Sequence, residues 1–197
     1  ALAAAVAAQD RCYAYLYWDE IDAVGHAHGP SSPEFDDACL RALDAVYAAF
    51  FGPEAPALED TTLVVTADHG QLDVSPDRLD LVDVLWPGLS SVLEAPPAGS
   101  ARDLFLHVRE DAVETTIAAL SEALGDHATV HRSETLFTGA IGPRLRERLA
   151  PVCVLPAPGR TAWLASDGDQ PHLHFRGDHG GRTPEESISF LGTLELS

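Results

Sequence analysis

The sequence predicts an α/β fold: a mostly parallel sheet carrying a small α+β insertion. Three observations lead there. Apolar runs rich in β-branched and aromatic residues alternate with a strongly periodic helix, in the order strand, loop, helix, strand, loop. Histidine-bearing polar stretches follow the two predicted strands, and ligands bind beyond the carboxyl ends of strands in such sheets. Residues 76–165 then change character to short strands and helices broken by Pro and Gly.

The alanine-rich start, Ala1 to Ala8, reads as the tail of a helix. It is too short for a membrane span and lacks the basic region of a signal peptide. Cys12 to Trp18 is aromatic and almost continuously apolar, which predicts a buried strand. Asp19 to Gly29 is polar with Gly25 and Gly29 and reads as a loop. Ser32-Pro33 has the form of an N-cap with proline at the first helical position. Phe35, Cys39, Ala42, Leu43, Val46 and Phe50 follow at helical spacing until Gly52-Pro53.

Thr62 to Thr66 is a short β-branched strand, and Ala67 to Gln71 the turn after it. Ser75 to Ser100 reads as a connector with a helical turn in Leu79 to Trp86. Leu104–Arg109 is a strand, Asp111–Leu124 a helix stopped by Gly125, and Ala128–His131 a strand. Arg144–Leu149 is a short helix, followed by strands at Val152–Leu155 and Thr161–Ala165. The chain returns to the core through His172–Phe175 and Gly177–Gly181. Thr183-Pro184-Glu185-Glu186 has the form of a capping box, and Ile188–Leu196 predicts a last strand. The organisation is therefore a core at residues 1–75, an insertion at 76–165, and a return to the core at 166–197.

Composition narrows the function. The 197 residues are 46% hydrophobic and 22% charged, so the chain can bury a core. Acidic residues number 31 against 12 basic, a formal charge of -19, which disfavours binding to duplex nucleic acid. An anionic substrate is still compatible with this charge if a metal supplies local positive charge. Every basic residue is Arg, which excludes Schiff-base and Walker lysines, and no Asn is present for N-glycosylation. With no Met, the chain reads as a processed form, a fragment or part of something longer. No apolar run reaches the length of a membrane span. Cys12, Cys39 and Cys153 are odd in number and far apart, so they read as buried apolar thiols.

Three clusters carry chemistry: Asp22-Ala-Val-Gly25-His26-Ala-His28-Gly29, Thr66-Ala67-Asp68-His69-Gly70 and Gly177-Asp178-His179-Gly180-Gly181. Carboxylates beside imidazoles suit Zn²⁺, with Mn²⁺ or Fe²⁺ as alternatives, and the glycines let neighbouring side chains turn toward one ion. Each cluster alone also fits an ordinary turn. Their order and spacing are more informative. Asp22 and His26 are four apart, Asp68 lies 46 after Asp22, and His179 lies 110 after His69.

This pattern resembles the alkaline phosphatase superfamily, in particular its bacterial type I phosphodiesterase / nucleotide pyrophosphatase branch. Tyr17-Trp18-Asp19-Glu20 before the first cluster and His179-Gly180-Gly181 running into Thr183-Pro184-Glu185-Glu186 are similar to it as well. The resemblance implies an alkaline-phosphatase-like sheet, of which residues 1–75 and 166–197 form the C-terminal half. It implies a dinuclear metal site, with Asp22, His26 and His179 on one ion and Asp68 and His69 on the other. The family's remaining Asp and its Thr or Ser nucleophile have no match before Asp22. The implied reaction is hydrolysis of small phosphodiesters or nucleotide pyrophosphate bonds, with two divalent metals, most simply zinc, in the complete enzyme and about one held tightly by this chain. The missing N-terminal half of the domain is the implied partner. Two alternatives stand beside this: a phosphomonoesterase, phosphomutase or sulfatase of the same superfamily, and a catalytically inactive metal-binding or interaction fragment.

Other residues read more plainly. Thr66 as a replacement nucleophile competes with a strand-end Thr, which is favoured because the family's nucleophiles sit at helix N-termini. His172 and His174 share one face if extended, but read as surface or structural histidines. His28 either lines the pocket or is solvent-exposed, and Asp178 is placed to orient an imidazole. Asp19 and Glu20 orient or solvate the loop. His107, His127 and His131 read as structural, and Arg144, Arg146 and Arg148 as a solvated face. Unpaired cysteines lean toward a reducing compartment, whereas related enzymes are often secreted, so the compartment stays open.

Overall fold

In the computed structural model, which describes residues 2–9 and 11–196, the alanine-rich start forms helix α1 (Leu2–Ala7). The aromatic run Cys12–Trp18 does not form the buried strand predicted for it. It takes no regular structure and lies open to solvent, Tyr13 being 90% exposed. A strand pairs its backbone N–H and C=O groups only through a neighbour. No strand among the described residues lies alongside these.

Asp19–Gly29 is not a loop either. Helix α2 (Glu20–His28) occupies it, closed by Gly29 at φ 90°. Glycine at position 25 costs the helix about 1 kcal/mol relative to alanine. The packing explains it: a Cβ there would collide with the Gln71 side chain and lie 3.1 Å from Phe35. Glu20 and Asp22 in the first turn and His26 and His28 in the last also suit the helix dipole.

Helix α3 (Pro33–Phe50) starts as read from sequence. Ser32 Oγ accepts the Phe35 N–H at 3.2 Å, and Pro33 opens the first turn. Its predicted apolar stripe is only partly covered, with Leu43 and the neighbouring Tyr47 exposed. Strand β1 (Thr61–Thr66) and the turn behind it follow, then β2 (Leu72–Asp73). The connector contains β3 (Leu79–Leu81) and its helical turn α4 (Val82–Leu85). Beyond it come β4 (Ala98–Ser100), β5 (Asp103–Leu106), α5 (Val113–Leu124), β6 (Ala128–Arg132), α6 (Pro143–Arg148), β7 (Val152–Pro156) and β8 (Thr161–Trp163).

Pro171–His174 forms a 3-10 turn, so the condition under which His172 and His174 would share one face is not met. His172 packs edge-on against Trp163, and His174 meets Asp169 at the surface, 2.7 Å away. Then come β9 (Gly177–Asp178), α7 (Pro184–Ser187) and the last strand β10 (Leu191–Leu196).

The sheets are small and mostly antiparallel, which corrects the expectation of a mostly parallel sheet. The largest runs β4-β5-β7-β6 with every pair antiparallel. β1 pairs with β10 and β2 with β9, both antiparallel; β3–β8 is the parallel pair among the described residues. The expected parallel arrangement required Cys12–Trp18 in the same sheet as β1, and β1 instead ladders with β10 from Thr61↔Leu196 to Thr66↔Leu191. The best-packed core lies within residues 79–173. α5 lays Val113, Thr116, Leu120 and Leu124 onto Leu104, Leu106, Val152 and Val154 of the four-stranded sheet. Among the described residues no helix is long and apolar enough to cross a membrane.

The cysteines differ from one another, against the expectation that all three are buried. Cys153 is buried, Cys39 half-buried and Cys12 exposed. Burial, with the Asp103 charge adding to it, pushes the Cys153 thiol up to about 12. The thiolate is the reactive form, so an aromatic disulfide reagent at pH 8 is expected to modify Cys12 in the native chain and to reach Cys153 only after unfolding. Mass mapping of the labelled peptides checks this; early labelling of Cys153 contradicts the packing.

Candidate metal centre

The three clusters come together at one place. On α2, Asp22 and His26 are one helical turn apart, so their side chains lie side by side with Asp22 Oδ2 3.4 Å from His26 Nε2. The turn after β1 brings Asp68 and His69, and the loop after β9 brings His179. Although 157 positions separate it from Asp22, His179 Nε2 lies 3.6 Å from Asp22 Oδ1. The His69 and His179 rings stack with centroids 3.5 Å apart, and the His26 ring centroid lies 5.1 Å from that of His179.

Ligand atoms of Asp22, His69 and His179 all fall within 4.8 Å of one another, close enough to share one cation. This trio crosses the grouping expected from sequence, taking Asp22 and His179 from one ion's set and His69 from the other's. His26 adjoins it through Asp22. Asp68 adjoins it through His69, its Oδ1 3.6 Å from His69 Nε2, and its side chain is largely exposed.

The donor chemistry fits a divalent metal. His26 Nδ1 donates to the Gly177 carbonyl at 2.8 Å, and His69 Nδ1 to the Gly70 carbonyl at 3.0 Å. A carbonyl only accepts, so each Nδ1 carries a proton, and Nε2 is the ring atom that faces the carboxylates and could bind a cation. Burial, reinforced by the neighbouring His69, lowers the His179 pKa and favours the neutral imidazole that a metal requires.

Asp178 is buried beneath the site. Its Oδ1 accepts the His179 N–H at 2.9 Å and lies 4.0 Å from His26 Nδ1, while Oδ2 has no partner. Burial pushes its carboxyl up to about 6, with the His179 N–H opposing. His28 is exposed, two residues beyond His26 and thus on a different side of α2. Thr66 Oγ1 donates to the Phe190 carbonyl at 2.7 Å, as a strand-end hydroxyl does. Tyr17 stands in the field of the site: the Asp68 charge first, then partial desolvation and Asp22, raise its phenol above the ordinary value.

Sequence reasoning missed Gln71. Its amide Nε2 donates to Asp22 Oδ1 at 3.2 Å, steadying the carboxylate nearest to both His26 and His179. Its position just after Asp68-His69-Gly70 is the one sequence hint, and no periodicity marks it. Gln71 also borders an open cleft of about 730 Å³ whose charged lining residues are Asp73, Arg182 and Glu185.

Comparison with known proteins follows the same lines. A family model described as type I phosphodiesterase / nucleotide pyrophosphatase matches residues 1–182. The bis(5'-adenosyl)-triphosphatase ENPP4 of Pongo abelii is 35% identical over 78 residues, 36% of this chain and 16% of the relative. Its Xenopus laevis counterpart is 29% identical over 91 residues, 45% of this chain and 20% of the relative. Among solved structures, human ectonucleotide pyrophosphatase / phosphodiesterase 5 superposes with a TM-score of 0.60 at 19% identity, covering 90% of this chain and 46% of that one. An inactive variant of the murine protein in complex with AMP gives 0.59 at 23% identity, over 89% and 45%. At these identities the structures share the fold. The chain spans under half the length of the structures it matches, and a fifth or less of these curated relatives.

Proposed function

The chain belongs to the type I phosphodiesterase / nucleotide pyrophosphatase family, and on that premise we propose that it supplies the metal-binding half of a site hydrolysing small phosphodiesters or nucleotide pyrophosphates. The observation that carries the reading is the convergence of Asp22, His69 and His179 within 4.8 Å, from three separate segments. By the family resemblance Asp22, His26 and His179 would hold one cation and Asp68 and His69 a second, the trio Asp22, His69 and His179 joining the two sets, with zinc the best fit to the donors and manganese or iron the alternatives. Cations bound there would supply the charge that draws an anionic phosphate to a chain of net charge -19 and would stabilise oxygens of the reacting phosphate. The residues' own work is positional. Gly177 and Gly70 fix the imidazole tautomers, Gln71 holds the Asp22 carboxylate, and Asp178 holds the loop that bears His179.

Thr66 donates its hydroxyl to the Phe190 carbonyl as a strand end does, which argues against it as the attacking hydroxyl. Nucleotide substrates accord with the bis(5'-adenosyl)-triphosphatase relatives and with the AMP held by the murine structure. A second reading, a silent metal-binding or interaction module, draws on the exposed aromatic run Tyr13, Tyr15, Tyr17 and Trp18.

Hydrolysis of bis-p-nitrophenyl phosphate with added zinc tests this, comparing residues 1–197 with a chain extended at its N-terminus. The expected result is turnover by the longer chain alone, abolished by Asp68→Ala. Equal activity of both places a nucleophile within these residues, with Thr66 the first to replace. A strong preference for monoesters overturns the diesterase assignment, and zinc binding without turnover in the longer chain favours the module.

A further inference from the structure

Hairpin tips ordinarily face solvent, since their backbone groups are otherwise hard to satisfy. The tip joining β4 to β5 does the opposite. Ser100 pairs with Asp103 across it, and the two residues between, Ala101 and Arg102, are 0% and 1% exposed. The tip is covered by the connection from β7 to β8, whose Pro156, Ala157 and Arg160 carbonyls accept from Arg102, and by the loop that carries His179.

Three contacts define the docking. Ser100 Oγ lies 3.1 Å from the His179 carbonyl oxygen and 2.5 Å from Asp103 Oδ1, so its hydroxyl proton sits between two acceptors and ties the His179 backbone to the hairpin. Asp103 fixes that hydroxyl by also accepting the Ser100 N–H at 2.8 Å, and Ser100 Oγ accepts the Arg102 N–H at 3.1 Å. On the far side of Gly180, the Glu186 carboxylate accepts the Gly181 N–H at 3.0 Å while clasped by the Arg102 guanidinium at 2.9 and 3.0 Å. The hairpin therefore grips the loop on both sides of Gly180.

The glycines show how close the approach is. Gly180 sits at φ +116°, and a Cβ there would lie 2.6 Å from Ser100 Oγ and 2.9 Å from Asp103 Oδ1. One on Gly181 would lie 2.7 Å from the Glu186 carboxylate and 2.9 Å from Arg102. A side chain at Gly180 would be strained by its backbone conformation, and one at either position would push on the residues that hold the loop to this tip.

We propose that Ser100 and Asp103, from the segment inserted between β1 and β9, are positioning residues that set the backbone of His179 and so aim its imidazole at Asp22 and His69. The proposal rests on His179 being a metal ligand. It gives the insertion a role at the metal centre: a displacement of the β4–β5 tip moves His179 directly.

The test is zinc affinity of the full-length protein, measured by competition with a chromogenic chelator, beside thermal unfolding without zinc. Ser100→Ala is expected to weaken zinc binding about 10-fold, at the lower end of what residues supporting a ligand contribute, with the folded state retained. Ser100→Thr, which keeps the hydroxyl, is expected to restore it. Unchanged affinity in Ser100→Ala, or equal loss in Ser100→Thr, overturns the positioning role. His179→Ala separates the two levels. If it leaves zinc affinity unchanged, the metal-ligand reading itself falls; if it weakens binding while Ser100→Ala does not, that reading stands and the positioning inference falls.

Discussion

Arg102→Ala is expected to cost about 3–5 kcal/mol of folding stability, the usual loss when one member of a buried ion pair is removed. Arg102 and Glu186 are 84 positions apart, and both are almost fully buried. The guanidinium meets both Glu186 oxygens and also donates to the carbonyls of Pro156, Ala157 and Arg160 at 3.1, 2.9 and 2.6 Å. Truncation strands a buried carboxylate and removes a donor from three carbonyls at once. In a chain of this size the loss corresponds to a fall of about 6–20 °C in melting temperature. Replacing both partners by apolar residues, Arg102→Met with Glu186→Leu, is expected to recover part of it, because no charge is then left unpaired.

The pair also sets an acid limit. Burial raises the Glu186 carboxyl, but the hydrogen bonds and charge of Arg102 outweigh it and hold it below the ordinary carboxylate value. A depressed folded-state pKa means that the stabilisation is complete above the unfolded value, about 4.3. It is lost as pH falls through the lower folded value. Urea titrations of the native chain and of Glu186→Gln should therefore converge as the pH is taken below that range. A constant gap would mean that the carboxylate charge is not what stabilises the fold.

This pair shows where sequence reading stopped. Thr183-Pro184-Glu185-Glu186 was legible as a capping box, and Glu186 does accept the Thr183 N–H at 3.3 Å. Its greater role, closing on Arg102, depends on a meeting between distant segments that no local pattern encodes. The same division runs through the fold. α3 and α5 were legible because capping, periodicity and a stopping glycine act within the element. β1 was legible from its branched residues. Its partner was not, because pairing is decided by which strands are present to pair, and Cys12–Trp18 has none among the described residues.

At the candidate site the spacing of Asp22, His26, Asp68, His69 and His179 pointed to segments that the fold does bring together. That Asp22 and His26 lie on a helix was not legible, because Gly25 reads as a loop residue until Gln71 is seen packed against it. The closest donor set could not be read either. Stacking of His69 on His179 is a tertiary fact, and it groups residues that the family resemblance assigns to different ions.

Asp22→Ala in the full-length protein is expected to lower diester hydrolysis by at least about 10³-fold, since losses at a site acting as a unit are large even for one member. Asp22 is the common neighbour: His26 lies 3.4 Å away, His179 3.6 Å and the Gln71 amide 3.2 Å. Its removal leaves His26 and His179 without the carboxylate that bridges their Nε2 atoms. Gln71→Ala removes one hydrogen bond to that carboxylate and nothing nearer the reaction, so a loss of about 10–100-fold is expected. His174→Ala, at the surface beside Asp169, is expected to leave the rate unchanged. The ranking is the informative result. Zinc content measured on the same preparations separates a site that has lost its cation from one that holds it in a poorer position. If Gln71→Ala matches Asp22→Ala in both rate and zinc content, the amide is itself part of the binding site and the hierarchy drawn from these distances is wrong. If Asp22→Ala keeps its zinc and its activity, the convergence of the three segments is structural and the hydrolytic centre lies elsewhere in the protein.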